Sequence, residues 1–237
     1  MSTCAIMQPT YLPWSGYFNL AAQVDVFIFL DDVQFERRSW QNRNRILQNG
    51  AACLLTAPVR KAAQSTPIHQ MELVQDEPWA ERHLQALRTA YPQLRQQAGV
   101  DKVLEVLASA RPARLADLNI ALIRALFELL GITCQTLRAS ELGCSGKRSA
   151  HLAELCQRVG ARRYLSPQGS REYLAEDGFE DLSGLTLAFQ EFTVTPYPQR
   201  QAAEFVSHLS VLDVIGQCGP EFAARYIRQG APHAPVH

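Results

Sequence analysis

The chain has 237 residues, of which 47% are hydrophobic and 19% charged, and this composition excludes an intrinsically disordered protein. Its apolar runs are too short to cross a bilayer, and 23 basic residues balance 23 acidic ones, so no excess positive charge favours nucleic acid as a partner. The six cysteines form no CxxC pair and the N-terminus resembles no signal peptide. We therefore expect a cytoplasmic protein with free thiols and a small-molecule substrate; its oligomeric state stays open.

The N-terminal residues predict a strand, a helix and a second strand. An apolar run covers residues 4–7, a helix is expected through about residue 23, and β-branched and aromatic residues fill 24–30. A unit of this kind pairs its strands in parallel with a right-handed crossover. Because ligands in such sheets collect at the carboxyl ends of the strands, both strand ends are candidate site positions.

The rest of the chain predicts an α/β domain with a helical insertion. Strands are expected at 53–59, 132–137, 164–166 and 185–192. Helices are expected at 79–90, 101–108, 112–130, 149–159 and 170–175. We predict one compact α/β domain with a parallel, Rossmann-like sheet. Its parts are an N-terminal half (1–77), a helical insertion or cover (78–130), a C-terminal half (131–229) and a flexible tail (230–237).

The loop after the first predicted strand combines polar and aromatic side chains with residues that fix the backbone. Two prolines stiffen it, and Gly16 at the helix start would let a ligand approach the backbone amides. A rigid turn with packed aromatic side chains is the alternative. The candidate binding residues of this loop are Gln8, Tyr11, Trp14, Gly16 and Tyr17.

Two carboxylates and a basic segment follow the second predicted strand. Carboxylates beside guanidinium groups form either a solvated surface network or a base next to anion-binding groups. Their position at a strand end favours the second interpretation, and we predict Asp31, Asp32 and Arg43 as catalytic residues. The binding candidates of this region are Gln34, Arg38, Trp40, Asn42, Arg45 and Lys61.

Two further segments, 143–149 and 166–171, bring backbone amides, hydroxyl groups and a cation to predicted helix starts. Serine and glycine are also ordinary helix-capping residues, so each signal is weak. The anion-binding candidates here are Lys147, Ser149, Ser166 and Ser170. We find no metal-binding or P-loop motif, and we predict no metal. His69, His83, His151 and His208 stand isolated, and we expect no ligand role for them.

Three N-terminal segments resemble the WbqC-like family. They are QPTYLPWSGYF at 8–18, VFIFLDDVQF at 26–35 and RSWQNRNRI at 38–46, and the pattern continues in order to about residue 213. Pro167 departs from it, since a glycine is expected there, and no histidine stands near Val194. The resemblance adds Tyr197 and Gln199 to the binding candidates. It implies an association with O-antigen or other surface-polysaccharide biosynthesis, and a glycine or aminoacyl transferase role.

The order of strand, proline-rich loop, helix and strand is also similar to nucleotidyltransferase-like Rossmann proteins, whose HxGH motif holds a triphosphate. Both histidines of that motif are absent here. Residues 166–171 are similar to the late helix start of those enzymes. The analogy implies that this segment and the loop at 8–17 meet over one anion; it concerns the fold, and a fold does not define a function.

These observations predict a transferase that moves an acyl or aminoacyl group to an amino sugar or a similar small acceptor. The cofactor is unknown, with ATP or a nucleotide-linked donor as the candidates. Asp31 or Asp32 would be the base, and the oxyanion donors would be Arg43, Asn42 or the Gly16 amide. One alternative is a non-catalytic nucleotide or nucleotide-sugar binding protein, or an assembly factor. Another is hydrolase or lyase chemistry that uses the paired carboxylates.

Overall fold

The computed structural model describes residues 2–109, 113–200 and 202–229. The predicted tail and the predicted start of a helix at residue 112 lie outside these ranges. The strands of the described residues are β1 (Thr3–Met7), β2 (Val26–Phe29), β3 (Arg43–Gln48), β4 (Ala51–Thr56), β5 (Gln135–Arg138), β6 (Arg163–Ser166) and β7 (Thr186–Phe189).

The α-helices of the same residues are α1 (Ser15–Ala21), α2 (Trp79–Ala90), α3 (Val100–Ala108), α4 (Leu115–Leu129), α5 (Ala139–Leu142), α6 (Arg148–Arg158), α7 (Arg171–Glu176), α8 (Phe179–Ser183), α9 (Val211–Cys218) and α10 (Pro220–Tyr226). Short 3-10 turns cover Ile68–Gln70, Leu94–Gln96 and Gln168–Ser170.

Five strands form a parallel sheet in the order β5-β2-β1-β6-β7. Along the chain, this order starts at β1, moves outward through β2 to β5, and then continues on the other side through β6 to β7. That arrangement is the Rossmann-like one, and it confirms the predicted fold class. The direction of winding reverses between β1 and β6, and ligands of such folds bind outside the carboxyl ends of the strands at this point.

The sheet is buried on both faces, because alternate residues of its central strands enter different cores. Ala5 and Phe27 pack with α1, α2, α3, α4, α9 and α10 on one face. Cys4 and Ile28 pack with α6 and α8 on the other. The alternation has the two-residue period of a strand, and burial on both faces accounts for the continuous apolar runs of β1 and β2.

The strand predicted at residues 53–59 lies outside the parallel sheet. These residues contribute to β4, which does not join the parallel sheet but pairs antiparallel with β3. Asn49 and Gly50 connect the two strands with φ angles of 52° and 76°, the left-handed conformation that a tight Asn-Gly hairpin turn requires. The polar sequence of β3 concealed it, since its buried side chains include Asn44 as well as Ile46.

Candidate active site

A cleft of about 360 Å³ opens at the point where the winding of the sheet reverses. Strand β1 and the residues after it meet β6 here, and the loop after β2 closes the side. The structure therefore brings together three segments singled out in the sequence. Lining residues from these elements include Met7, Gln8, Thr10, Leu30, Trp40, Gln41, Leu152, Tyr164, Pro167 and Tyr173.

Gln8 is held in this cleft by a second glutamine. The Gln41 side-chain amide donates to Gln8 Oε1 at 2.9 Å, and Gln41 Oε1 accepts from the Glu36 backbone amide at 3.0 Å. The carboxamide oxygen of Gln8 is thus occupied. Its NH₂ group has no hydrogen-bond partner among the described residues and can donate to a bound ligand.

Two buried asparagines hold the first loop against the second. Asn119 of α4 donates to the carbonyl oxygens of Pro9 and Gln41 at 2.9 and 2.7 Å. Asn44 of β3 donates to the carbonyls of Tyr11 and Leu12 at 3.1 and 2.7 Å. Buried carbonyl groups need such partners, so both side chains determine the shape of the cleft.

Asp31 has a structural role. Its carboxylate is fully buried and accepts from Arg138 Nε at 2.7 Å and from the backbone amide and hydroxyl group of Ser140 at 2.9 Å each. Arg138 also binds Asp117 at 2.7 Å. Both oxygens of Asp31 therefore accept hydrogen bonds within the fold, which leaves Asp32 as the available carboxylate of the predicted pair.

Asp32 pairs with His151, a residue that sequence reasoning set aside. His151 Nε2 lies 2.9 Å from Asp32 Oδ2. His151 is the fourth residue of α6 and so lies near the start of that helix. The hydrogen bond to Asp32 raises the pKa of His151, burial opposes the rise, and the charge of Glu154 adds to it. Both Asp32 Oδ1 and His151 Nδ1 are buried and have no partner among the described residues.

His151 could have been found from the order of elements along the chain, which a motif search does not consider. Helix α6 follows β5, the outer neighbour of β2, so the first residues of the helix lie at the edge where Asp32 emerges. Leu30 and Leu152, which flank the pair in sequence, line the cleft. The pair therefore lies close behind lining residues of the cleft, although neither Asp32 nor His151 lines it.

The aromatic residues of the first loop mostly pack inward. Tyr11 is buried with its hydroxyl 2.8 Å from His83 Nδ1, and Tyr17 is buried against Phe27. A Cβ atom on Gly16 would lie 2.2 Å from the ring of Trp14, so this glycine makes room for that ring rather than for a ligand. Here the alternative of a rigid turn with packed aromatic side chains describes the structure better.

The exposed Trp40 and the half-buried Arg43 and Arg45 form a stack beside the cleft. The guanidinium carbons of Arg43 and Arg45 lie 5.8 and 5.5 Å from the centre of the Trp40 ring, which is 49% exposed. The two arginines alternate along β3 and therefore share one face of the hairpin. Neither forms an ion pair within the described part of the chain, so both charges are available to an anion.

Four other binding candidates share a second cavity of about 690 Å³. They are Gln34, Arg38, Asn42 and Lys61. Glu36 lines both this cavity and the cleft, so the two spaces are neighbours. Asn42 lines this cavity, whereas Trp40 lines the cleft, so Asn42 does not belong to the group formed by Trp40 and Arg43.

The anion-binding candidates of the second half are engaged by the protein itself. Glu154 accepts from the backbone amides of Ser145 and Gly146 at 2.9 and 3.1 Å, and these bonds lower the pKa of its carboxyl. Ser149 donates to Asp177, while Lys147 is exposed. A carboxylate of the chain thus occupies the position that the sequence suggested for an anion.

The hydroxyl groups of Ser166 and Ser170 are hydrogen-bonded to each other, with 2.5 Å between their Oγ atoms, and the Ser170 hydroxyl also lies within hydrogen-bond distance of the Pro167 carbonyl. Only Pro167 and Tyr173 of this region reach the cleft.

Tyr197 and Gln199 lie away from the cleft around a buried carboxylate. Both donate to Asp213 Oδ2, at 2.6 and 2.9 Å, and Tyr91 donates to Oδ1 at 2.8 Å. This cluster joins α9 to α2 and to the segment before α9, which explains why these residue types stand there without any ligand.

The described residues contain no group of three or more His, Cys, Asp or Glu side chains that could hold a metal ion. Within the same ranges, no helix has the length and apolar character of a membrane span.

The fold and the cleft define a Rossmann-like α/β protein with an open cleft at the carboxyl edge of its sheet. The chain belongs to the WbqC-like protein family, whose model matches residues 8–225, which confirms the resemblance seen in the sequence. It is 32% identical over 232 residues to "Uncharacterized protein Rv1507c" of Mycobacterium tuberculosis (strain ATCC 25618 / H37Rv), and the match covers 97% of this chain and 100% of the relative. No solved structure matches it significantly.

Proposed function

We propose that the protein transfers an acyl or aminoacyl group to the amine of an amino sugar or a similar small acceptor, in surface-polysaccharide or related biosynthesis. The observation that carries the proposal is the Asp32–His151 pair. Two acceptor atoms, Asp32 Oδ1 and His151 Nδ1, are buried without partners among the described residues, and Leu152, the neighbour of His151 in the chain, lines the cleft. Buried polar atoms are nearly always hydrogen-bonded, and a substrate with two N–H hydrogens would supply both missing donors.

The geometry assigns the proton chemistry. Asp32 accepts from Nε2, which holds the imidazole in the tautomer with its lone pair on Nδ1. That nitrogen takes a proton from the amine as the amine nitrogen attacks the acyl carbon. The bond to the leaving group then breaks, and the imidazolium returns its proton to the leaving group. Asp32 acts as the positioning residue and stabilises the imidazolium.

The free NH₂ group of Gln8 is the candidate donor to the acyl oxygen, which becomes negative during the attack. Gln41 fixes its orientation from behind. Trp40 and its two arginines would bind the sugar or the anionic part of the donor at the rim of the cleft, because an aromatic face and guanidinium forks suit both.

The test is formation of an amide product. Purified protein is incubated with an amino acid, ATP and an amino sugar, and the product is detected by mass spectrometry. We expect His151→Gln and Asp32→Asn to lower the rate at least about 100-fold, the usual contribution of a positioned base. Asp101→Asn, at an exposed position of α3, should leave the rate unchanged.

The pH dependence identifies the base. His151 must be neutral to accept a proton, and its pKa is raised by Asp32, so the rate should increase with pH through a value above its ordinary pKa of about 6.5. In Asp32→Asn the residual rate should reach its plateau at lower pH. A wild-type rate in His151→Gln would exclude this base, and ligand binding without any turnover would favour the non-catalytic alternative.

A further inference from the structure

The second cavity is lined by several cations that the fold leaves unpaired. Arg37, Arg38 and Lys61 contribute charged side chains to it and form no ion pair within the residues described. Arg60 also lines the cavity but lies 3.9 Å from Glu72, and Glu36 is the acidic lining residue. In a chain with a net charge of zero, this local excess is a feature of the cavity and not of the whole molecule.

A residue with a buried, unpartnered acceptor atom lines the same space. Asn42 is 7% exposed and lines the cavity, and its amide group donates to the Ala57 carbonyl at 2.9 Å. Its Oδ1 atom is buried and has no partner in the described ranges. A carboxamide oxygen accepts hydrogen bonds only, so a bare anion cannot satisfy it, whereas a hydroxyl group can.

From these two observations we propose that this cavity binds a phosphorylated sugar unit, as found in a sugar phosphate or in a nucleotide. The phosphate would lie on Arg38 and Lys61, and a hydroxyl group of the sugar would donate to Asn42 Oδ1. Three unpaired cations match a phosphate or diphosphate better than a single carboxylate, which carries one charge. A volume of about 690 Å³ lies within the usual range of small-molecule sites.

Glu36 lines both the cavity and the cleft, so a phosphorylated compound in the cavity could extend its far end into the cleft. The binding claim is independent of catalysis. The assignment of this cavity to the phosphorylated substrate of the transferase rests on the proposed function.

Titration calorimetry on the full chain tests the phosphate contacts, with pyrophosphate as the probe. Arg38→Ala and Lys61→Ala should each weaken pyrophosphate about 10- to 100-fold, the usual effect of removing a charge-assisted hydrogen bond. Arg88→Ala, an exposed arginine of α2 outside the cavity, should leave the affinity within twofold. No pyrophosphate binding at millimolar concentration, or an equal loss in Arg88→Ala, would overturn the proposal.

Asn42 separates a phosphorylated sugar from a bare anion. We expect Asn42→Ala to weaken ribose 5-phosphate and ADP about 2- to 12-fold, as for one neutral hydrogen bond, and to leave pyrophosphate unchanged. Unchanged pyrophosphate affinity also shows that the variant is folded. Equal losses for all three ligands, or none, would refute the sugar contact, and the relative affinities of ADP and ribose 5-phosphate distinguish a nucleotide from a sugar phosphate.

Failure of this proposal is distinguishable from failure of the proposed transferase. His151→Gln should bind pyrophosphate and ribose 5-phosphate like the wild type, because it touches neither Arg38, Lys61 nor Asn42 in the part of the chain described. A protein that binds these ligands without turnover would support the cavity and contradict the catalytic pair. A protein that forms product but binds none of these phosphate compounds would support the catalytic pair and contradict the proposal for the cavity.

Discussion

Asp31 and Asp32 are adjacent in the chain but have opposite environments. Asp31 is completely buried against Arg138 and Ser140, while the side chain of Asp32 is 19% exposed and, among the described residues, contacts His151 as its one hydrogen-bond partner. Removing one partner of a buried ion pair leaves the other charge uncompensated, and this loss usually costs several kcal/mol. Asp32 has a single partner, a histidine that can be neutral, so its replacement leaves no obligatory charge uncompensated and costs less.

We therefore predict that Asp31→Asn lowers the free energy of unfolding by about 3 kcal/mol and that Asp32→Asn lowers it by less than about 1 kcal/mol. Urea denaturation at pH 7 measures both. Asp117 remains as a partner for Arg138 and limits the first loss. Equal stabilities of the two variants would mean that the contacts of Asp31 with Arg138 and Ser140 do not support the fold.

The sequence identifies the strand end at which these carboxylates stand but not which of them is free. The decision depends on residues more than 100 positions away, Arg138 and Ser140, which only the pairing of β2 with β5 brings into contact. His151 is likewise far from Asp32 in the chain, so no local sequence motif contains both residues. Its role depends on the order of strands in the sheet.

The two motif loops are held together by α4 and by the hairpin of β3 and β4. The Asn119 amide group binds carbonyl groups of both loops, one at Pro9 and one at Gln41. Asn44 binds two further carbonyls of the first loop from β3. Strand β3 thus supports the loop that lines the cleft, and its buried Asn44 is polar because it binds backbone groups of that loop.

We predict that Asn119→Ala destabilises the protein by about 1–3 kcal/mol, because two buried carbonyls lose their donor. Hydrogen exchange should become faster in the segments around residues 8–12 and 40–42, and these loops should loosen together. Gln85→Ala, an exposed position on α2, is the control. Faster exchange spread evenly over the sheet would indicate general destabilisation instead of a local role.

Elements with a continuous apolar or amphipathic pattern could be predicted, and those defined by distant contacts could not. Strands β1, β2 and β6 and helices α2, α3, α4 and α6 fall where the periodicity places them. Helices α9 and α10 lie in a stretch for which we make no helix prediction. In the first loop, Gly16 predicts that another group packs closely against its backbone, and that group is the Trp14 ring instead of a ligand.

At the scale of the whole molecule, the central strands connect two separate cores. Phe27 lies in the core under α1 and α4, and its neighbour Ile28 lies in the core under α6. A change in either core therefore acts on the same strand. We expect the domain to unfold as one cooperative unit, although its helices lie on two sides of the sheet.

We predict that Phe27→Ala and Ile28→Ala each lower the stability, by about 3–5 and 2–5 kcal/mol, because each leaves a cavity in a fully buried site. In both variants, urea curves from tryptophan fluorescence and from far-ultraviolet circular dichroism should coincide, as for a two-state transition. Trp79 reports on the first core, whereas the helices of both cores contribute to the dichroism. If Ile28→Ala shifted the dichroism midpoint and left the fluorescence midpoint in place, the face that carries α6 and His151 would unfold independently.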